Sequence, residues 1–381
     1  MTPLAAALAL GLQLPAPGPV LDAVPFEVPS ADGYLIQGET DRPAGPARGV
    51  VIMVAGTGVF TRDVNFGRSG TPGDRIFRDL AARFNQRGMA VVRFDRRGAR
   101  YGVPREQRTD KAVAPTATPE NLSQDVEALY DWTRSERGLG APCVVLLGHS
   151  EGTVHIAGLA ERGAVPPDLV IGIGGLLESK ASVVRWQSVD RELDALLMMD
   201  NDGDGMVTDA EIRASYRNTP AGFYEDPAPL LAPDGSWSAA DIANVRAENE
   251  IWYTQEVADL ADHADDAPYP DAEEPLASWR WWKSWFLDDT PNAVRFSRWP
   301  SRLIFHYGSR DSQVREDRQR VAAEGVLPAA QLSFISHPDR GHTLGQDVLL
   351  GPMDEAIAGQ IADQAAAACP VAPQGRDNEP G

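Results

Sequence analysis

The sequence predicts a doubly wound α/β sheet of mostly parallel strands, broken once by a large, mainly helical insertion. Three observations carry this expectation. Short apolar, β-branched runs alternate with helix-period stretches on both sides of the break, as successive βα units require. The break, residues 178–298, holds 25 acidic and 10 basic residues, a local charge of −15 in a chain whose formal net charge is −20. Finally, "GHSEG" (148–152) stands where one apolar run ends and a helical pattern begins.

Taken in order, "PFEVP" and "YLIQGET" read as an opening antiparallel hairpin. "GVVIMVAG" (49–56), "MAVVRFD" (89–95), "APCVVLLGH" (141–149) and "DLVIGIGG" (168–175) read as buried parallel strands. Helical patterns fall between them, around 74–87, 119–136 and 151–162. After the insertion, "RLIFHYGS" (302–309) and "LSFISH" (332–337) resume the strands, and 353–368 makes a final helix. A main domain of 21–177 and 299–369 therefore encloses an insertion of 178–298. Residues 1–20 resemble a signal peptide that lacks a basic n-region, and 370–381 should be a disordered tail.

An apolar fraction of 43% and a charged fraction of 24% are ordinary for a soluble globular chain. The acidic balance argues against nucleic acid or an anionic membrane surface as a partner. No run approaches the ~18 apolar residues of a membrane span. Of the two cysteines, Cys143 lies in an expected buried strand and Cys369 near the C-terminus. Their spacing suggests no metal site, and nothing in it requires a disulfide.

"GHSEG" at a strand end, opening the helix "SEGTVHIAGLAERG", has the form of a nucleophile elbow. Ser150 would sit on its tight turn, with small residues two positions away on each side relieving the crowding. A serine hydroxyl needs a base to take its proton, and the base needs an orienting acid. Asp311 follows the strand "RLIFHYGS", and His342 lies on the loop after "LSFISH". The order Ser, Asp, His suits an elbow nucleophile. His337, beside Pro338, competes as the base and Asp339 as the acid. His149 is expected to face away inside the elbow, with His155 on the helix, His306 within a strand and His263 in the insertion. The oxyanion needs two N–H donors. Glu151, just after the nucleophile, should supply one, and Thr57 or Gly58 in "AGTGVFTRD" the other.

Within the insertion, "DNDGDGMVTDAE" (200–211) has the pattern of an EF-hand calcium loop. Asp200, Asp202 and Asp204 fill positions 1, 3 and 5, and Glu211 closes it at position 12. Met206 would offer its carbonyl, and Thr208 would ligate directly or through water. Gly205 makes the turn. Carboxylates ~4 Å apart repel by ~4 kcal/mol at an effective dielectric of 20, so the crowding makes sense around a cation. Val189, Leu193, Leu196 and Leu197 recur at helical spacing before the loop, as Ile212 and Tyr216 do after it. Downstream, "DGSWSAADI" (234–242) echoes "DGMVTDAEI" (204–212), matching Trp237 to Val207. The half-loop 230–241 has Leu230 and Ala232 at its first ligand positions, which cannot bind metal. It is expected to be a silent partner that supports the working loop.

"AGTGVFTRD", "RFDRRGARYG" (93–102), "GHSEG", "GSRDSQV" (308–314) and "RGHTLG" together resemble the α/β-hydrolase fold. The resemblance is to bacterial carboxylesterases grouped with prolyl-oligopeptidase-like and dienelactone-hydrolase-like enzymes, over about 25–177 and 280–365. It implies a serine hydrolase acting on a small-molecule ester through Ser150, Asp311 and His342, and a cap over the site at 178–298. Ala55 departs from the His or Ser that relatives often carry there. The cap, with its EF-hand, is larger than usual.

Seven of the nine tryptophans lie in 178–298, four of them in "ASWRWWKSWF" (277–286). They would either line the substrate pocket, through Trp279, Trp282 and Trp285, or form the cap's own core. Calcium (Ca2+) is expected as a structural ion stapling the cap. A peptidase or acyltransferase shares the chemistry, and a calcium-dependent binding protein on an inactive hydrolase scaffold is the rival of another class. A low-affinity loop suits an exported protein, with a cytoplasmic one as the alternative. Abundant Ala, Arg, Gly and Pro with three lysines fits a GC-rich bacterial genome.

Overall fold

The structure is a computed structural model describing residues 21–65 and 75–370. The expected signal-like segment and the tail beyond Pro370 lie outside the described residues. Eight strands form one sheet: β1 (Asp22–Pro29), β2 (Leu35–Arg42), β3 (Val50–Val54), β4 (Ala90–Phe94), β5 (Val144–His149), β6 (Leu169–Ile173), β7 (Arg302–Gly308) and β8 (Leu332–His337). Their spatial order is 1-2-4-3-5-6-7-8. β1 pairs antiparallel with β2 and β2 antiparallel with β4, and every later pairing is parallel. The opening hairpin and the six parallel strands thus stand as the sequence reads. This mostly parallel sheet flanked by helices fits the α/β-hydrolase fold.

The strands are apolar on both faces because both are covered. Along β3, Val51 and Met53 face helices α1 (Ile76–Gln86) and α11 (Glu355–Ala368), meeting Phe77, Leu80, Phe84 and Ile361. Val50, Ile52 and Val54 face the other way, toward Leu122, Val126, Ile156 and Leu159 of α2 (Pro119–Arg134) and α3 (Gly152–Glu161). Each such side chain contributes roughly 1.5–3 kcal/mol when fully buried. α2 starts where Thr118 and Asn121 form a capping box with Pro119 at the first helical position.

Between β6 and β7 the insertion begins with α4 (Lys180–Arg185), a π-helical turn (Trp186–Asp190) and α5 (Arg191–Leu197), one nearly continuous rod leading into the acidic loop. α6 (Asp209–Ser215), α7 (Ala239–Asp259), α8 (Trp279–Leu287) and α9 (Asn292–Phe296) follow. α10 (Glu316–Ala323) lies between β7 and β8. A separate small core gathers Leu193, Leu196, Val207, Ile212, Tyr216, Leu230 and Ile242 around the acidic loop. Leu197, expected with them, is 52% exposed because it falls on the outer face of α5. The loop and its echo meet in a two-stranded antiparallel ladder, with Met206 opposite Ser238, Val207 opposite Trp237 and Thr208 opposite Ser236. Each strand runs into a capping box, Thr208 with Glu211 and Ser238 with Asp241.

Cys143 and Cys369 form a disulfide across 226 residues of sequence. Nothing in the sequence spacing required this bond; the packing of the C-terminal helix brings the two cysteines together. α11 packs under the start of β5, and Arg48 holds its end through the carbonyls of Ala366 and Cys369.

Candidate active site

β5 ends at His149, and the chain turns into α3 through Ser150, whose φ is +53°. A left-handed conformation is costly for serine and persists only where the surroundings enforce it. Here Ser150 N donates to Ile173 O, and Ser150 O accepts from Thr153 N and Thr153 Oγ1. A Cβ on Gly152 would stand 2.2 Å from Val54 O, so only glycine lets α3 lie this close to β3. The strained turn lifts the Ser150 hydroxyl off the sheet into a cavity of about 310 Å³.

His342 reaches the same cavity from the loop after β8. Its Nδ1 lies 2.8 Å from Asp311 Oδ2. Asp311 Oδ1 accepts from the backbone N–H groups of Gln313 and Val314, fixing the carboxylate just past β7. Both residues are almost fully buried, at 3% and 2% exposure. The competitors are engaged elsewhere. His337 Nε2 faces His306 Nδ1 at 2.9 Å, and His306 Nε2 faces Gln364 Oε1. Asp339 occupies an exposed left-handed turn, its amide donating to Ser309 Oγ.

His149 does not face away, as expected from its place inside the elbow. It lines the cavity, its ring centroid 4.8 Å from that of His342. Burial, with His342 adding to it, pushes the His149 pKa well below the ordinary histidine value, so this neighbour is neutral. The turn at Ser150 brings the residue before it toward His342, which strand alternation does not foretell.

Thr57 lines the cavity, whereas Gly58 is not on its wall and gives its carbonyl to Phe60 N. A Cβ on Gly56 would stand 2.9 Å from Ser150 Cβ, so this loop runs directly against Ser150. The Glu151 amide lies at the start of α3. "RFDRRGARYG" is a row of buried ion pairs: Arg93 with Asp41 and Asp63, Arg62 with Asp95, Arg97 with Asp125, and Arg96 with Glu151.

The opposite wall comes from the insertion: Val183 and Val184 of α4, Gln187 and Ser188 of the π-helical turn, Trp252 and Glu256 of α7, and Trp281, Trp282, Trp285 and Phe286 of α8. Gln187 Nε2 donates to Gln313 O at 2.8 Å, linking this turn to the Asp311 loop. Trp279 is a correction: it stacks on His263 with centroids 3.5 Å apart and meets Tyr269 edge-on, away from the cavity. Trp281, which sequence reasoning missed, takes its place. The helical period carried the signal, since Trp281 and Trp285 are four apart on one face of α8. These aromatics pack into the main core, and the insertion's own small core is mainly aliphatic.

In the acidic loop, one carboxylate oxygen each of Asp200, Asp202 and Asp204 lies within 4.8 Å of the others. Glu211 is not in that group. Its Oε2 accepts from Thr208 N and Oγ1, and its Oε1 from Asn201 N, which hold its carboxyl below the usual range.

No family model and no curated protein matches the chain. Among solved structures it is similar to an α/β hydrolase from Penicillium sp., with 15% identity, 92% of this chain and 99% of that chain covered, and a TM-score of 0.48. An esterase from Pyrococcus furiosus aligns at 10% identity over 93% and 96%, also with a TM-score of 0.48. A proline iminopeptidase from Mycobacterium smegmatis aligns at 14% over 91% and 99%, TM-score 0.48. Among the described residues, no helix is long and apolar enough to cross a membrane.

Proposed function

We propose that the chain is a serine hydrolase of carboxylic esters. One observation carries the reading: a strained serine and an Asp-held histidine open onto the same aromatic-walled cavity. Because Asp311 occupies Nδ1 of His342, Nε2 is the nitrogen left to take the Ser150 proton. Ser150 Oγ then attacks the ester carbonyl, with the amides of Glu151 and Thr57 stabilising the oxyanion. The tetrahedral species collapses to an acyl-enzyme as His342 returns the proton to the leaving alcohol. Water, deprotonated by the same nitrogen, releases the acid. Among the described residues no Lys or Arg lines the cavity, which favours uncharged acyl groups over carboxylate-bearing ones.

Glu256 is the one acidic side chain on the described wall, and it favours a second reading, a peptidase that pairs it with a substrate amine. A fluorophosphonate probe, p-nitrophenyl esters and aminoacyl p-nitroanilides together test both. Labelling and ester turnover that vanish in S150A support the esterase. Preference for anilides that is lost in E256Q would give the peptidase. A wild-type protein that takes no label and turns over neither substrate would leave a binding protein on this scaffold.

We also propose that residues 200–211 hold a structural calcium ion. The clustered Asp200, Asp202 and Asp204 oxygens fit a hard cation, with Glu211, Thr208 and the Met206 carbonyl completing the set. The ion would supply the positive charge that three gathered carboxylates lack. The pairing of the loop with its echo supports the reading. The disulfide supports an exported protein, since such bonds persist in oxidising compartments.

A further inference from the structure

The side chain of Glu151 is a meeting point of four segments. It is only 2% exposed, and its neighbours come from the loop after β3, the loop after β4, α3 and the insertion. Thr57 Oγ1 and Arg96 Nη1 each donate to Oε2 at 3.0 Å. Trp281 Nε1 donates to Oε1 at 2.5 Å. His155 Nε2 lies 3.5 Å from Oε1, and burial pushes the His155 pKa down to about 4, so it stands there neutral. Burial alone would raise the Glu151 pKa, but Arg96, together with the Trp281 and Thr57 donors, holds it below the usual carboxylate value. The same Arg96 Nη1 donates to Gly56 O, and its guanidinium lies 5.7 Å from the Trp281 ring centroid. Trp281 also walls a second cavity of about 310 Å³, lined by Glu151, His155, Lys180, Asp288 and Arg295. Trp281 thus lines both spaces, and Glu151, its hydrogen-bond partner, lines the second.

We infer that Glu151 is a positioning residue: its carboxylate ties the two backbone segments proposed to bind the oxyanion to each other and to helix α8. The catalytic half of this inference rests on the serine-hydrolase reading, whereas the tether to α8 does not. The physical reason is distance tolerance. An oxyanion hole acts only if its donors are already placed where charge develops. Thr57 and Glu151 each lie three residues past the paired Val54 and Gly148, so the register sets their loops side by side, but it does not by itself fix the orientation of the two amides. A buried carboxylate shared by both loops and by Trp281 does. The oxyanion hole is therefore complete only when α8 is seated.

The test compares wild type, E151Q and W281F on p-nitrophenyl butyrate, with an alkyl boronic acid as the tetrahedral mimic and hydrogen exchange over 279–287. E151Q should lower kcat by about 10- to 100-fold, the scale of a displaced donor, with KM within about twofold. Boronate affinity should fall in step with kcat/KM, because only transition-state binding is lost. Protection of 279–287 should fall as well. W281F keeps an aromatic ring but removes the N–H donor together with the second ring of the indole, and should move all three readouts the same way by about 3- to 10-fold. If E151Q does not fold, W281F decides. Wild-type kcat and boronate affinity in the folded variants would overturn the catalytic half. Unchanged exchange over 279–287 would overturn the tether. A wild-type protein that neither hydrolyses the ester nor binds the boronate would refute the hydrolase reading and with it the catalytic half, while exchange would still judge the tether.

Discussion

Val207 stands opposite Trp237 at the centre of the short ladder that joins the acidic loop to its echo. Val207 is buried, and Trp237 Nε1 donates to the carbonyl of Leu230, the residue at the echo's first ligand position. The echo therefore closes on itself with an indole N–H where the acidic loop gathers carboxylates. Structural order in this half of the insertion should depend on what neutralises Asp200, Asp202 and Asp204. Saturating calcium at 100 times its Kd adds about 2.7 kcal/mol to a fold that binds it only when native. The melting temperature is expected to rise by a few degrees in calcium relative to chelator, and the difference to disappear in the D200A/E211A double variant. Equal melting temperatures in calcium and in chelator would sink the structural-ion reading.

The Cys143–Cys369 bond closes a loop of more than half the chain, so its entropic effect on the unfolded state is large, about 2–5 kcal/mol. Reduction, or the C369S substitution, is expected to lower the urea midpoint. Ester turnover at 25 °C should be retained, because neither sulfur lies near Ser150's cavity. A reduced protein with an unchanged midpoint would show that α11 is held by its packing and by Arg48 alone.

His155 is buried neutral, with its pKa lowered by burial to about 4 against an ordinary value of 6.5. Between those values the unfolded chain binds a proton that the folded chain refuses, so stability falls as pH drops from about 6.5 toward about 4. The slope reaches about 1.4 kcal/mol per pH unit for this one group. Asp79, raised to about 6 by burial, acts in the opposite direction, so the comparison must be with a variant. Relative to H155Q, wild type should lose stability through this window in urea titrations at pH 7, 5.5 and 4.5. Parallel curves for the two proteins would contradict the assignment.

Trp282 and Trp279 should part company when truncated. Trp282 walls the cavity, so W282A is expected to favour octanoate over butyrate esters by about fivefold or more in kcat/KM relative to wild type. Trp279 lies stacked on His263, so W279A should leave that ratio alone and lower the melting temperature instead. A shift in acyl preference in W279A, with none in W282A, would overturn the wall as described.

What the sequence determined by itself was local. The unbroken apolar run of β3, the left-handed turn at Ser150 flagged by its glycines, and the Asp spacing of 200–211 are all written within a dozen residues. The order Ser150, Asp311, His342 was legible too, because each residue follows a recognisable strand. Only the tertiary structure decided the rest. It paired two cysteines 226 residues apart, turned His149 toward His342, exchanged Trp279 for Trp281 on the cavity wall and gave Glu151 its four partners. Periodicity fixes which face of a helix or strand is apolar. It does not say which other segment that face will meet, and a buried charge or an aromatic wall is defined by that meeting.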